Sequence, residues 1–274
     1  MERMRGLTTI SYSIVAACVS ASAQGVALQI EWRENILTIS GPGVPGEKIE
    51  TWYLEAFCRK GSTNRKWEET VVPHTTWLVS ASADKSRIQL EGAIDGVTVT
   101  HDIQARDDCV TFDLVLTNTS DIPVDIEWAQ PCMRVDRFTG KGKEDYIANC
   151  FIFAENGPVM LDKTRRTENA VYKGGQVYVP RGINRDDVNP RPLSPEVPVN
   201  NLIGCTSADG KWLVATAWDH TQELFQGIIT CIHADFRIGG LTPKETKRVR
   251  GVVYIMPNDF DALLKRYAAD FPAK

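Results

Sequence analysis

The sequence predicts an all-β protein of antiparallel strands, closed by one short C-terminal helix. Three observations predict it. Apolar and polar residues alternate through much of the chain: Phe112, Leu114 and Leu116 take one parity, and Thr111, Asp113 and Thr117 the other. Turn-forming clusters separate such runs, among them Asn118-Thr119-Ser120-Asp121 and Ala208-Asp209-Gly210-Lys211. Helical spacing marks the end of the chain, where Phe260, Leu263, Leu264 and Tyr267 fall at i, i+3, i+4 and i+7.

In chain order, residues 1–23 read as a secretory leader: MERMR, an apolar run, then Ala21-Ser22-Ala23 before Gln24, a small-x-small cleavage pattern. The product would be exported to a periplasm or the outside of the cell. A second reading takes Val15-Ala16-Ala17-Cys18 as a lipobox that leaves Cys18 lipidated. The run is shorter than the about 20 residues a membrane-spanning helix needs, and no other stretch is long and apolar enough. Residues 24–274 read as a single domain, a size all-β units often reach. Residues 26–126 are short strands and turns, interrupted by GPGVPGE at 41–47.

Residues 179–201 break the pattern with Pro180, Pro190, Pro192, Pro195 and Pro198 and the run Arg185-Asp186-Asp187. A structureless segment of about 20 residues inside a compact domain points to a loop that shapes a cleft. The alternative is a stiffened excursion over a sheet edge. Strand patterns resume at 202, and the helix is expected over about residues 259–269.

Lys and Arg number 31 against 35 Asp and Glu, a net charge of −4, so there is no basic field and nucleic acid is not an expected partner. Six cysteines follow the leader: Cys58, Cys109, Cys132, Cys150, Cys205 and Cys231. In an exporting context Cys132 with Cys150 and Cys205 with Cys231 are candidate disulfides. The alternative is that several are buried small hydrophobes. No CxxC or Cys/His spacing argues for structural zinc.

Chemistry concentrates in residues 218–237, WDHTQELFQGIITCIHADFR. On a strand His233, Asp235 and Arg237 share one face, while Ile232, Ala234 and Phe236 share the other. Gln130, Cys132, Arg134 and Asp136 repeat the arrangement, with Met133 and Val135 opposite. Acid–base work needs two titratable groups in unlike surroundings, which makes Glu223, His233 and His220 the catalytic candidates. Gln130, Gln222, Gln226, Asp136 and Asp235 are hydrogen-bonding candidates. Arg134, Arg137, Arg237, Arg181 and Arg191 are forks that would suit a carboxylate or sulfate on an acidic glycan. Trp67 and Trp218 are candidate stacking platforms, and His74 could reach the same cleft. No cofactor is expected. The alternative is a divalent metal at His220, Glu223, His233 and Asp235.

Residues 117–131, TNTSDIPVDIEWAQP, followed by QELFQG and by LTPKETKRVRGVVYI, resemble the galactose mutarotase-like β-supersandwich group over about residues 92–256. The resemblance implies two large twisted antiparallel sheets whose concave face binds a carbohydrate. It also implies a histidine after the asparagine turn as general acid and a glutamate near the C-terminus as general base. Here Ala129-Gln130-Pro131 stand where the histidine is expected, and Glu223 matches the glutamate. An amide cannot donate a proton as an imidazolium does, so chemistry other than plain mutarotation is implied. No GxSxG elbow, P-loop or HExxH is present. The expectation is an exported carbohydrate-active enzyme catalysing hydrolysis, β-elimination or epimerisation. The alternative is a non-catalytic carbohydrate-binding module or a structural envelope protein.

Overall fold

A computed structural model describes residues 28–60, 66–165, 175–189 and 191–272; the expected leader, Cys18 included, lies outside them. Two large sheets make up the protein. The first contains β1 (Gln29–Arg33), β2 (Ile36–Ser40), β3 (Lys48–Cys58), β4 (Val71–Val72), β9 (Trp128–Arg134), β12 (Gln176–Tyr178), β15 (Thr221–Gln226) and β16 (Cys231–Arg237). Its order is β1-β2-β3-β9-β16-β15-β12, with β4 on the side of β3. The second contains β5 (His74–Ala81), β6 (Arg87–Ile94), β7 (Val97–Ala105), β8 (Cys109–Asn118), β10 (Cys150–Ala154), β11 (Gly157–Met160), β13 (Ile203–Thr206), β14 (Trp212–Trp218) and β17 (Thr246–Pro257). Its order is β11-β10-β13-β14-β17-β8-β7-β6-β5. Every pairing within these sheets is antiparallel, as the alternating pattern predicts.

The sheets pack face to face because each carries one apolar parity. Phe112, Leu114 and Leu116 of β8 share a single buried cluster with Ile39 of β2, Met133 of β9 and Ile232, Ala234 and Phe236 of β16. Trp218, at the end of β14, crosses this interior to Phe236, with ring centroids 4.3 Å apart, and also meets Phe112. The outer face of the second sheet is covered by the C-terminal helix, Phe260–Asp270, whose Phe260, Leu264 and Tyr267 pack against Phe151, Phe153 and Tyr254. Asp259 caps that helix by accepting from the Ala262 amide at 2.9 Å. Among the described residues no helix is long and apolar enough to cross a membrane.

The expected disulfides do not form. Strand order sets β9 beside β16 and β10 beside β13, so Cys132 lies with Cys231, and Cys150 faces Cys205 in register. All six described cysteines are free thiols in buried positions.

Between the sheets, His101 of β7 is 2% exposed and shares a 3.0 Å hydrogen bond with the Tyr53 hydroxyl of β3. Burial pushes its imidazole down to about 3. An unfolded histidine titrates near 6.5, so below that pH the unfolded chain takes up a proton that the folded chain refuses. This contribution is fully present above pH about 6.5 and is lost as pH falls toward 3, by up to several kcal/mol at about 1.4 kcal/mol per pH unit. Urea-unfolding midpoints across that window should fall less steeply in His101→Leu than in the wild type. Parallel profiles would contradict the assignment.

Candidate active site

The face of the first sheet turned away from the core carries the polar row. Register places Glu223 of β15 opposite Asp235 of β16, and Phe225 opposite His233. Cys231 pairs with Arg134 of β9, and Arg237 with Trp128. The pleat therefore gives Glu223, Asp235 and His233 one face while their neighbours fill the core. That face is not open to water. Glu223 and Asp235 are both 0% exposed.

Its cover comes from residues 179–201. Ser194 and Val177 pair through their backbones, so the segment runs along the β12 edge. From there it reaches across the sheet. The Asn189 amide N–H donates to Glu223 Oε2 at 2.8 Å, and its side-chain amide donates to Gln130 Oε1 at 3.1 Å. Gln130 Nε2 in turn donates to Glu55 Oε2 at 2.8 Å. Arg237 fastens the cover down, donating to Glu127, to Gln222 and, at 3.1 Å, to Asp187 of the same segment. Gln222 also donates to the Asp187 carbonyl.

Glu55 reaches this site because the β3–β9 register slips between Trp52 and Ala56. A bulge of this kind re-aims a side chain. Leu54 takes a left-handed φ of 55° there, and its carbonyl accepts from His74 Nε2 at 2.9 Å. His74 thus braces the bulge rather than entering the cleft.

Between cover and sheet lies a half-open pocket of about 230 Å³ whose wall includes Glu55, Trp67, Gln130, Asn189, Arg191 and His233, together with Cys132 and Cys231. Trp67 stands on a single helical turn, Trp67–Thr70, and rests on the buried Trp128, with ring centroids 6.5 Å apart. Burial and the facing Asp235 raise the Glu223 carboxyl well above the carboxylate range, against the pull of the Asn189 amide. Burial likewise raises Asp235, and His233 opposes that rise. Two unexposed carboxyls facing each other cannot both be charged. At His233 burial disfavours the proton, but Cys132 and Asp235 more than offset it and hold the imidazole above its ordinary value.

Of the residues singled out in the sequence, Gln130, His233, Trp67 and Arg191 line the cavity, and Glu223 and Asp235 lie buried behind its wall. Gln222 and Gln226 are buried structural donors, the latter bonded to the Tyr146 hydroxyl at 2.7 Å. Arg237 is a latch. Other expectations are corrected. His220 turns outward, half exposed and 3.1 Å from Asp219, because it sits in the β14–β15 turn. It cannot serve with Glu223, or in the metal set expected with His233 and Asp235. Trp218 is a core side chain, 2% exposed, and offers no ring face to a sugar. Asp136 and Arg137 are exposed on the turn of helix that follows β9. Arg134 ends its strand beside Glu50 outside the cavity wall. Arg181 is exposed and 3.9 Å from Glu155. Glu55 and Asn189 were not legible in the sequence: one depends on a register slip, the other on a loop. Cys132 falls on the polar parity that the sequence marks, but the sequence offers it and Cys231 only as disulfide candidates or buried hydrophobes, with no sign that the two meet.

No protein-family profile matches the sequence, and no curated protein does. Among solved structures the chain is similar to a galactose mutarotase related enzyme from Lactobacillus acidophilus, with 8% identity, 83% of this chain and 97% of that one covered, and a TM-score of 0.43. It is similar to galactose 1-epimerase from Lactobacillus acidophilus NCFM, with 9% identity, 85% and 98% covered, and a TM-score of 0.38. An α-galactosidase from Geobacillus stearothermophilus, solved in complex with stachyose, shares 9% identity over 76% of this chain and 32% of that one, with a TM-score of 0.34. Function is therefore read from the side chains of the cavity.

Replacing Arg237 removes the cation shared by two largely buried carboxylates. Arg237→Met should cost about 2–3 kcal/mol, toward the low side for a buried pair because one edge of the guanidinium meets water. It should also open residues 179–201 to limited proteolysis. A melting midpoint and a cleavage pattern both unchanged would contradict the latch.

Proposed function

We propose that the protein is a carbohydrate-active enzyme, acting after export, that holds one sugar residue in the cavity over the outer face of the first sheet and moves a proton there with Glu55. One observation carries the reading: an indole, a partly exposed carboxylate and two buried amides line one small half-open pocket. Sugars stack their apolar C–H faces on indole rings and present hydroxyls that amides and carboxylates bind. The cavity is smaller than the about 300–1,000 Å³ of pockets for larger ligands, which suits a single residue or a chain end.

The roles follow from position. Trp67 supports the ring, Gln130 and Asn189 bind hydroxyls, and Glu55, tied to Gln130, is the accessible proton carrier. His233 is the second titratable group in the wall. Glu223 touches no solvent and holds the Asn189 backbone in place, so it positions the amides instead of meeting the sugar. An acid–base carboxylate serves hydrolysis, β-elimination and epimerisation alike. Arg191, at the cavity wall, would accept a uronic or sulfated residue.

The test is a panel of neutral, uronic and sulfated mono- and oligosaccharides followed by mass spectrometry and proton NMR, the latter to detect epimers of unchanged mass. With a turned-over sugar in hand, Glu55→Gln should lower kcat by about 10²-fold or more with Kd nearly unchanged. Trp67→Ala should weaken binding by about tenfold. Full turnover by Glu55→Gln would remove Glu55 from the mechanism. Binding without product by the wild type would make the protein a binding module.

A further inference from the structure

Three metal-ligating atoms converge in one part of the cavity wall. Cys132 Sγ of β9 and Cys231 Sγ and His233 Nε2 of β16 all lie within 4.8 Å of one another. Cys231 Sγ is 3.2 Å from His233 Nε2. None of the three residues is more than 2% exposed, yet all three border the cavity. Strand geometry explains the grouping: residues 231 and 233 share a face, and the neighbouring strand brings Cys132 beside them. Cys-x-His on one strand and a lone cysteine 99 residues earlier is a spacing that only the sheet completes.

We propose that Cys132, Cys231 and His233 form a binding site for a thiophilic metal ion, zinc, with a fourth coordination position open to the cavity. Tetrahedral zinc, with bonds of about 2.3 Å to sulfur and 2.0–2.1 Å to nitrogen, needs donor atoms about 3.5–3.8 Å apart; here one pair stands at 3.2 Å and all three donors lie within 4.8 Å, so small side-chain adjustments would bring them to that spacing. Two sulfurs and an imidazole are the donor set of a soft d¹⁰ ion, while calcium and magnesium require oxygen. Two cysteines and one histidine with a position left free is also an arrangement found where zinc binds an exchangeable ligand.

Two further observations support the site independently of its donor types. His233 Nδ1 faces Asp235 Oδ1 at 3.6 Å, and neither that nitrogen nor either Asp235 oxygen has a hydrogen-bond partner within 3.5 Å among the described residues. A proton on Nδ1 directed at Asp235 leaves the Nε2 lone pair toward the thiols, the orientation that a carboxylate gives a metal-bound histidine. Gly227 supplies the space: a Cβ there would stand 2.1 Å from Cys231 Sγ and 3.4 Å from His233 Nε2. The Tyr146 hydroxyl holds this turn by donating to the carbonyls of Gly227 and Cys231, at 3.0 and 3.2 Å.

Charge balances as well. Zn²⁺ binding displaces the protons of the two thiols and the one on His233 Nε2 and leaves two thiolates and a neutral imidazole around a dication, a group with no net charge that a buried wall tolerates. The site does not rest on the sugar reading, but it shares His233 and the cavity with it, and a bound ion would take that imidazole out of the proton chemistry.

The experiment uses the purified full-length protein, reduced and stripped with a chelator, then titrated with Co²⁺ and Zn²⁺ alone. Cobalt should give the intense visible bands of a tetrahedral site and thiolate charge transfer in the near ultraviolet, and zinc should displace it at one equivalent per chain. Cys132→Ser and Cys231→Ser should lose both signals, while Cys150→Ser, on the second sheet, keeps them; circular dichroism checks that each variant is folded. Asp235→Asn, which keeps all three ligands, should bind zinc about 10–100-fold more weakly. The proposal is overturned if the reduced wild type shows no cobalt bands, if Cys132→Ser keeps them, if Asp235→Asn binds zinc as tightly as the wild type, or if peptide mapping of protein isolated without reductant finds Cys132 and Cys231 joined.

Discussion

The Arg237 guanidinium is the contact on which the cleft depends. It lies where the end of β16 meets the covering segment, with Glu127 and Asp187 both accepting from Nη2 and Gln222 accepting from Nη1. Without that cation, two largely buried carboxylates would lose their shared partner, and the segment carrying Asn189 and Arg191 would lose its charged anchor to the sheet. The Asn189 amides then determine the rest: one satisfies Glu223 and the other orients Gln130, which in turn holds Glu55. A single charge thus fixes four polar groups that belong to three strands and a loop.

Such an arrangement is expensive to bury, and its cost explains its form. The first sheet has a face of carboxyls, amides, thiols and an imidazole where an apolar face would be simpler. Each such group must be bonded, neutral or matched by an opposite charge. Most are bonded. Among the groups without a partner, which also include Glu223 Oε1 and Asn189 Oδ1, the two Asp235 oxygens and one nitrogen of His233 lie together near the two thiols. Unmet polar groups gathered at one point beside a cavity are what a ligand or an ion would complete.

Much of the fold was legible in the residues. Alternation over residues 111–117 gave a half-buried strand, the i, i+3, i+4, i+7 stripe gave the final helix, and the parity of residues 231–237 separated core from cleft correctly. What a single strand presents can be read in this way because the pleat repeats every two residues. What two strands present together cannot. Glu55 enters through a register slip at Leu54, Cys132 meets Cys231 through strand order, and Trp218 points inward because its strand belongs to the other sheet. His220 follows the parity of Gln222 on paper, yet it lies in a turn, where parity has no meaning. The segment at residues 179–201 was recognised by its prolines; which of its side chains reach the sheet depends on contacts with Arg237, Gln222, Glu223 and Gln130 that no local pattern shows.

The central claim is that the outer face of the first sheet, beneath residues 179–201, is where the protein meets its substrate. The most direct measurement is a crystal structure of the protein soaked in a concentrated mixture of neutral and uronic monosaccharides. Density is expected for one pyranose ring against Trp67, with hydroxyls on Glu55 and Gln130. An empty cavity beside a sugar bound elsewhere, for instance between Arg250 and Phe271 on the second sheet, would contradict it.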